Sequence, residues 1–312
     1  MEKLIVTSSP HIHSHASTKS IMRDVVIALI PASIASVVFF GFKALLMILV
    51  SVATAISSEF FFNLITKKKQ TVGDYSAIIT GLLLALSLPA TAELWHCMLG
   101  SIFAIVVVKC LFGGLGKNFA NPAISGRVFL IIAFSSSIAG ATQTQFADLA
   151  TGATPLEIVT GSAGQWPTPL DMIIGNRAGA IGETCAIALI IGLIYLLVRK
   201  IITWHIPVVY VATVFVLSFA YTQNIGIACY EILGGGLLIG AIFMATDYVT
   251  SPTGRIAKII YALGCGVITF LIRFFGSYPE GVSFAILFMN ILSPYVDKIR
   301  YIKPLGGVKN VK

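Results

Sequence analysis

A run of small and hydroxyl-bearing residues, Asp148-Leu149-Ala150-Thr151-Gly152-Ala153-Thr154, stands out in an otherwise apolar chain. It lies in the one long stretch, roughly 140–178, that is too polar and too broken to cross a membrane. A threonine hydroxyl can accept a phosphoryl group, and Gly152 and Ala153 leave the backbone narrow enough to enter the cleft of a modifying enzyme. Short patterns also arise by chance, so an ordinary turn rich in small residues is the alternative interpretation.

Two further segments combine glycines with polar side chains at the end of an apolar run. The first contains Asn118 and Asn121 and is followed by Arg127; the second contains Asp247 and is followed by Arg255. Asn and Asp side chains offer hydrogen-bonding groups suited to a polar ligand. The same residue types also serve in helix caps and tight turns, and chemistry alone leaves both interpretations open.

Four glutamates lie within or at the ends of apolar segments, namely Glu59, Glu183, Glu231 and Glu280. A charge at bilayer depth costs about 2.5–3.5 kcal/mol, so an acid in such a position needs a function or a partner. We assign Glu59, Glu183 and Glu280 to an ion path. The alternatives are a paired carboxylate at a subunit interface for Glu59 and a position at the exterior boundary for the others.

Cysteine and histidine usage predicts no metal site formed by this chain alone and leaves a cluster shared with another subunit as the alternative. The five cysteines are isolated and lie in or beside apolar segments, which is typical of small buried hydrophobic residues. The run His11-Ile12-His13-Ser14-His15 has no acidic or cysteine partner beside it. We therefore interpret this run as an interfacial N-terminal segment.

Composition decides the class of protein. The chain has 312 residues, of which 57% are hydrophobic and 11% charged, and its mean hydropathy is +0.92. No soluble domain hides that much apolar surface, so we predict an all-α polytopic membrane protein embedded in the lipid bilayer. A span needs about 20 apolar residues. Ten candidates follow: roughly 22–40, 43–65, 75–90, 94–112, 122–139, 179–198, 206–221, 230–246, 257–275 and 281–296.

Basic residues lie almost entirely on one side of these spans. If the N-terminus is cytoplasmic, all of the 21 Lys and Arg residues except Lys43, Arg177 and Arg273 fall on the inner side. Cytoplasmic loops carry an excess of Lys and Arg. The charge pattern therefore predicts that both termini lie on the cytoplasmic side of the cell membrane and that the Thr154 loop lies outside the cell. The net charge of +8 is topological information and does not indicate nucleic-acid binding.

The ten spans divide into two sets of five, which would be inverted relative to each other in the membrane. Residues 80–91 and 235–246 share Gly, Leu, Leu, Ala and Thr in register. Inverted repeats with short or broken spans typically build a ligand site near the midplane. The chain, 1–312, is thus predicted to be one membrane domain. Its parts are a first repeat (20–139), an external loop (140–178), a second repeat (179–297) and a cytoplasmic tail (298–312).

Several motifs in order resemble a known family. The chain is similar to the D subunits of Rnf complexes and, through them, to the B subunits of the sodium-pumping NADH:quinone oxidoreductases. The Thr154 run resembles the D-x-x-[ST]-G-A-T signature of proteins that carry FMN on the last threonine. The other matching segments are Ser9-Pro10-His11, Gly113-Gly114-Leu115-Gly116-Lys117-Asn118, Asn121-Pro122-Ala123, Met244-Ala245-Thr246-Asp247, Thr250-Ser251-Pro252, Tyr278-Pro279-Glu280-Gly281-Val282 and Asn290.

The resemblance implies a covalent cofactor. FMN would be joined through its phosphate to Thr154, and Asp148, Thr151, Gly152 and Ala153 would complete the motif that a flavin transferase recognises. Many members of the family have serine where this chain has Thr151. Either residue should serve, because the modified hydroxyl is the later one.

The resemblance also implies a second flavin and a multi-subunit assembly. A noncovalent riboflavin inside the bundle would contact Asn118, Asn121 and Asp247, and Arg127 and Arg255 would balance its reduced, anionic form. The partners would be iron–sulfur, flavoprotein and membrane subunits. Such complexes pass electrons between ferredoxin and NAD and couple the flow to sodium or proton export. The chain would not be catalytic alone.

A solute transporter or channel of inverted-repeat design is the competing hypothesis. It accounts for ten spans and an internal duplication equally well. It does not account for the Thr154 run in the loop, and a flavin that stays with the denatured chain would exclude it.

Overall fold

The fold is a bundle of helices, described here from a computed structural model for residues 17–138, 144, 154–159, 166–276 and 280–299. The gaps fall mainly around the Thr154 loop and at the chain ends. The principal helices are α1 (Thr18–Phe40), α2 (Phe42–Ile65), α3 (Ser76–Leu86), α4 (Leu94–Cys110), α5 (Pro122–Ala133), α6 (Pro155–Val159), α7 (Pro169–Ile174), α8 (Ala186–Val198), α9 (His205–Thr222), α10 (Ile225–Leu233), α11 (Leu237–Met244), α12 (Arg255–Phe275) and α13 (Val282–Asp297).

Four of the described helices, α1, α2, α9 and α12, are long and apolar enough to cross a membrane. The pair α10 and α11 makes a fifth candidate, bent by 61° at its break. Helices α3, α4, α5, α8 and α13 are apolar but have only 10–17 residues. The prediction of an all-helical, multi-pass membrane protein is therefore confirmed for the described residues, whereas ten spans in two inverted repeats stay a prediction.

Two irregular segments pair with each other inside the bundle. The N–H of Ile181 donates to the Leu88 carbonyl at 3.0 Å, and the N–H of Gly182 donates to the Leu86 carbonyl at 2.8 Å. A Cβ on Gly182 would lie 2.9 Å from that Leu86 oxygen, so this approach requires glycine. Buried backbone outside helices is tolerated when protein groups satisfy it. The predicted span 179–198 is consequently helical only from Ala186.

The two sequence segments that match each other also occupy similar environments. Both α3 and α11 are short, and residues 80–90 and 234–245 are buried throughout. An irregular segment follows each helix. The likeness agrees with an internal duplication.

Helices α4 and α11 both finish in π-helical turns, at Phe103–Cys110 and Gly240–Met244. Such turns are rare and occur frequently at functional sites. Each leads directly into one of the two polar loops singled out in the sequence. The π-helical part of α4 brings Lys109, which is 2% exposed, into the bundle.

Candidate functional site

The two polar loops meet around one cavity. The cavity opens at the surface, and its empty space, with the adjoining solvent included, is about 720 Å³. The loop before α5 and the loop after α11 both contribute. The polar and aromatic lining includes Lys109, Asn118, Asn121, Phe243, Asp247 and Tyr248. Three residues predicted to share a site, Asn118, Asn121 and Asp247, are thus brought together.

Asn121 links the two halves of the chain. Its Oδ1 caps α5 by accepting from the N–H groups of Ala123 at 3.0 Å and Ile124 at 3.4 Å. Its Nδ2 donates to the Met244 carbonyl at 3.2 Å. The helix-capping interpretation is therefore confirmed for Asn121, whose amide holds the loop before α5 against the end of α11.

Asp247 shapes the second loop from within. Its Oδ1 accepts from the Val249 N–H at 3.4 Å and its Oδ2 from the Thr250 hydroxyl at 3.1 Å. Burial raises the pKa of the Asp247 carboxyl above its ordinary value, while these two hydrogen bonds act in the opposite direction. The carboxyl thus serves a tight turn and lines the cavity at the same time.

Asn118 has hydrogen-bonding capacity that the fold leaves unused. Its Nδ2 donates to the Ala120 carbonyl at 3.1 Å. Its Oδ1 is buried and has no partner within the described part of the chain. A buried acceptor without a partner is costly, and one that lines a cavity is suited to a ligand donor.

Lys109 is the residue that the sequence interpretation missed. Its Nζ pairs with Glu59 Oε1 at 2.8 Å and donates to Ser76 Oγ at 2.7 Å. The sequence signal was available, because Lys109 interrupts the apolar run Ile105-Val106-Val107-Val108. An ionisable residue in such a run indicates function by default, and this holds for a lysine as for an acid.

Glu59 is a paired carboxylate. Besides Lys109, it accepts from the Thr71 hydroxyl at 2.5 Å, and its Oε2 has no partner among the described groups. The side chains of Lys109 and Glu59 are 2% and 1% exposed. The partner of Glu59 is therefore inside this chain.

A second buried cluster surrounds the break between α10 and α11. Arg127 donates to Glu280 through Nη1 at 3.0 Å and also through Nη2. The N–H of Gly236 donates to the same Glu280 at 3.0 Å. A Cβ on Gly236 would lie 3.3 Å from both Arg127 Nη1 and Glu183 Oε2, so all three side chains converge on this glycine.

Two more arginines complete the cluster. Arg273 pairs with Glu231 at 2.8 Å and donates to the Gly234 carbonyl at 3.2 Å. Arg177 donates to the carbonyls of Glu183 at 2.8 Å and Leu233 at 2.5 Å. Burial lowers the pKa of the Arg177 guanidinium to about 10, so it stays cationic at neutral pH. These bonds hold the carbonyls that the helix break exposes.

The two arginines expected beside Asn118 lie elsewhere. Arg127 is six residues beyond Asn121 on α5, about 9 Å along the helix axis, and is bound to Glu280. Arg255 is exposed at the start of α12, in a groove with Trp204 and Lys258. Among the described lining residues of the cavity, neither arginine occurs.

This placement also corrects the charge count used for topology. The predicted topology places Lys109 and Arg127 in inner loops, but both are buried in helices and paired with glutamates. The rule concerns loop residues near the span ends. Neither residue therefore contributes to the argument for sidedness.

Thr154 caps the short helix α6. Its Oγ1 accepts from the Glu157 N–H at 3.2 Å, and Glu157 Oε2 accepts from the Thr154 N–H at 2.6 Å. This reciprocal capping box follows the T-x-x-E pattern. At α7, Thr168 Oγ1 likewise accepts from the Asp171 N–H at 3.2 Å, but Asp171 Oδ2 accepts from the Thr168 hydroxyl at 2.6 Å and not from the Thr168 N–H. The other motif residues, Asp148, Thr151, Gly152 and Ala153, lie outside the described residues.

Helix α6 rests against the helix break. The side chain of Leu156 lies 3.2 Å from the position that a Cβ on Gly234 would occupy. Thr154, two residues before Leu156, is partly buried. The Thr154 segment and the Arg127–Glu280 cluster therefore lie at the same end of α11, and the cavity lies at the other end.

Comparison with known proteins decides the family. The family described as "NQR2, RnfD, RnfE family" matches residues 5–306. The chain belongs to this family. It is 42% identical over 312 residues to the D subunit of the Na(+)-translocating ferredoxin:NAD(+) oxidoreductase complex of Acetobacterium woodii, covering 99% of this chain and 97% of that protein.

Other relatives of similar length are D subunits as well. The D subunit of the proton-translocating ferredoxin:NAD(+) oxidoreductase complex of Clostridium ljungdahlii is 39% identical over 308 residues, with coverage of 94% and 93%. The D subunit of the ion-translocating oxidoreductase complex of Halorhodospira halophila is 33% identical over 337 residues, with coverage of 96% and 94%. The resemblance expected from the motifs is confirmed.

Proposed function

We propose that this chain is the electron-carrying membrane subunit of an ion-translocating ferredoxin:NAD oxidoreductase complex. The observation that carries the proposal is its match over nearly its whole length to the D subunits of such complexes. Its partners would be the iron–sulfur, flavoprotein and membrane subunits of the assembly. The coupling ion would be sodium or the proton, as in the two relatives.

Thr154 is the proposed attachment residue for FMN. It follows Thr151-Gly152-Ala153 in the sequence, and the residue is partly exposed at the start of α6. A flavin transferase would join the phosphate of FMN to this oxygen. The isoalloxazine ring would supply the redox chemistry, and the protein would set its position and solvent access.

A denaturing gel tests this function directly. The purified chain, produced with a flavin transferase, should give a fluorescent band because an esterified flavin stays with the denatured polypeptide. A transporter or channel of the same fold would give a dark band. A dark band from protein made in a host with a competent transferase would contradict the proposed electron-carrying role.

The cavity is the proposed site of a noncovalent riboflavin. The cavity opens at the surface, and Asn118 Oδ1, which has no partner among the described residues, provides an acceptor for a ring N–H. Asn121 and Asp247 would support the same ring edge from the two loops. Phe243 and Tyr248, which also line the cavity, would contact its apolar part.

Replacing Asn118 by Leu should release much of this riboflavin. A lost partner in a site away from water costs about 1–3 kcal/mol, which corresponds to roughly 5- to 150-fold in affinity. Organic extraction and chromatography of the native protein measure the flavin. Asn121→Leu and Asp247→Leu should also lower retention, but both change loop hydrogen bonds as well. The covalent band should persist in all three variants, and full retention of extractable flavin in Asn118→Leu would contradict the assignment.

The proposed fold has ten spans in two inverted five-helix repeats, with both termini in the cytoplasm and the Thr154 loop outside. The buried, matching helices α3 and α11 support the duplication. FMN on the outer loop would then take electrons from a neighbouring flavoprotein subunit, and the cavity flavin would return them toward the cytoplasm.

Glu59, Glu183 and Glu280 are the proposed ion-path residues. Of these, Glu59 and Glu183 each keep one oxygen without a partner in the described region.

A further inference from the structure

We propose that Lys109 is the ligand-binding cation of the cavity, and that Lys109 and Asn118 together recognise the imide or cyclic-amide edge of a heterocyclic ligand. This inference rests on the proposed function and deepens it, because an isoalloxazine ring has such an edge. Lys109, and not Arg127 or Arg255, is then the group that balances negative charge on the ring.

The hydrogen-bonding capacity of the two side chains is complementary to such an edge. An ammonium group has three N–H donors, and Lys109 uses two of them, on Glu59 and Ser76. The third has no partner within the described residues. Asn118 contributes a buried acceptor, also without a partner there. A ligand carbonyl beside a ligand N–H satisfies both groups at once.

The charge of Lys109 matters because the cavity is mostly apolar. Ile79, Leu83 and Phe243 line it beside Lys109, and electrostatic interactions are stronger where water is excluded. Lys109 is the one cation among the described lining residues. The Lys109–Glu59 pair is neutral overall, but Lys109 lines the cavity and Glu59 does not. Negative charge on a ligand would therefore be attracted by the nearer Lys109 more strongly than it is repelled by Glu59.

The cations elsewhere in the bundle are held by other partners. Arg127 is bound to Glu280, and Arg273 to Glu231 and the Gly234 carbonyl. Arg255 is exposed and faces a different groove. Lys109 is therefore the buried cation that lines the cavity, whereas the buried arginines bind groups at the helix break.

The test compares two double variants. Removing Lys109 alone would leave a buried, unpaired carboxylate and endanger folding, so Lys109→Met is combined with Glu59→Gln. The matched control is Arg273→Met with Glu231→Gln. Both ion pairs have a 2.8 Å contact, and their side chains are no more than 2% exposed. Gel filtration in detergent verifies that each variant is folded.

Binding of added riboflavin is measured by anaerobic equilibrium dialysis of the full-length protein at mildly alkaline pH. The oxidised ring is neutral there, and the dithionite-reduced ring is anionic. The Lys109/Glu59 variant should lose about 10- to 100-fold in affinity for reduced riboflavin, the range for a hydrogen bond to a charged group. Its loss for the oxidised form should be several times smaller. The Arg273/Glu231 control should retain wild-type affinity for both forms.

Each outcome decides a different point. An unchanged ratio of reduced to oxidised affinity in the Lys109/Glu59 variant overturns the role of Lys109. Asn118→Leu leaves the ion pair intact and should lower the affinity for oxidised and reduced riboflavin equally. If it lowers neither affinity, the proposed recognition of the ring edge is wrong, even where the double variant is unstable. A wild-type chain that binds neither form overturns the cavity flavin of the proposed function and the inference together, while a fluorescent covalent band would stand independently.

Discussion

We expect Thr154→Ala to lose all covalent flavin and to keep a folded helical bundle. The substitution removes the only oxygen in that side chain to which the FMN phosphate can be esterified. Its cost to folding is the loss of one helix cap, about 0.5–2 kcal/mol, on the five-residue helix α6. In-gel fluorescence of the denatured chain measures the flavin, and gel filtration in detergent measures folding.

The chain contains its own control for this experiment. Thr168 caps α7 with the same kind of hydrogen bond from a backbone N–H and precedes the similar sequence Pro169-Leu170-Asp171. Thr168→Ala should therefore lose a cap and keep the fluorescent band. Thr151→Ala should reduce modification only in part, because that residue would be recognised and not modified. A fluorescent Thr154→Ala band would show that the attachment residue is wrong.

The bounds of the long apolar helices could be predicted because a continuous apolar run in the sequence marks their length. The predicted spans 22–40, 43–65, 206–221 and 257–275 agree within a few residues with α1, α2, α9 and α12. The third and sixth spans agree less well, because their ends depend on a distant segment. Residues 86–89 and 180–182 satisfy each other's backbone groups, and no local pattern announces that pairing.

The candidate site was likewise predictable only in part. Two polar loops after apolar helices were expected to meet, and Asn118, Asn121 and Asp247 do line one cavity. The positions of the charged side chains were not predictable from those loops. Arg127 and its partner Glu280 are 153 residues apart in the sequence, and Lys109 and Glu59 are 50 apart. A buried charge needs an opposite charge beside it. Which residue supplies that charge depends on the fold, and a single sequence does not specify it.

The sidedness of the Thr154 loop is the other prediction with an all-or-none result. A cysteine placed at Gln165, in the predicted external loop, should react with an impermeant thiol reagent in intact cells. One placed at Gln70, which is exposed beside Lys67-Lys68-Lys69, should react only after the membrane is opened. The background must lack the native cysteines, above all the exposed Cys229.

The physical basis of this expectation is the loop charge that remains after Lys109 and Arg127 are set aside. On the predicted spans, one side still carries Lys67-Lys68-Lys69, Arg199-Lys200 and the C-terminal basic residues. Cytoplasmic loops carry an excess of Lys and Arg. The predicted outer loop has Asp148, Glu157 and Asp171 against Arg177 alone, and Arg177 is buried. Labelling of Gln70→Cys in intact cells, with Gln165→Cys protected, would invert the topology. FMN on Thr154 would then lie in the cytoplasm, and the proposed route of electrons outward and back would fail with it.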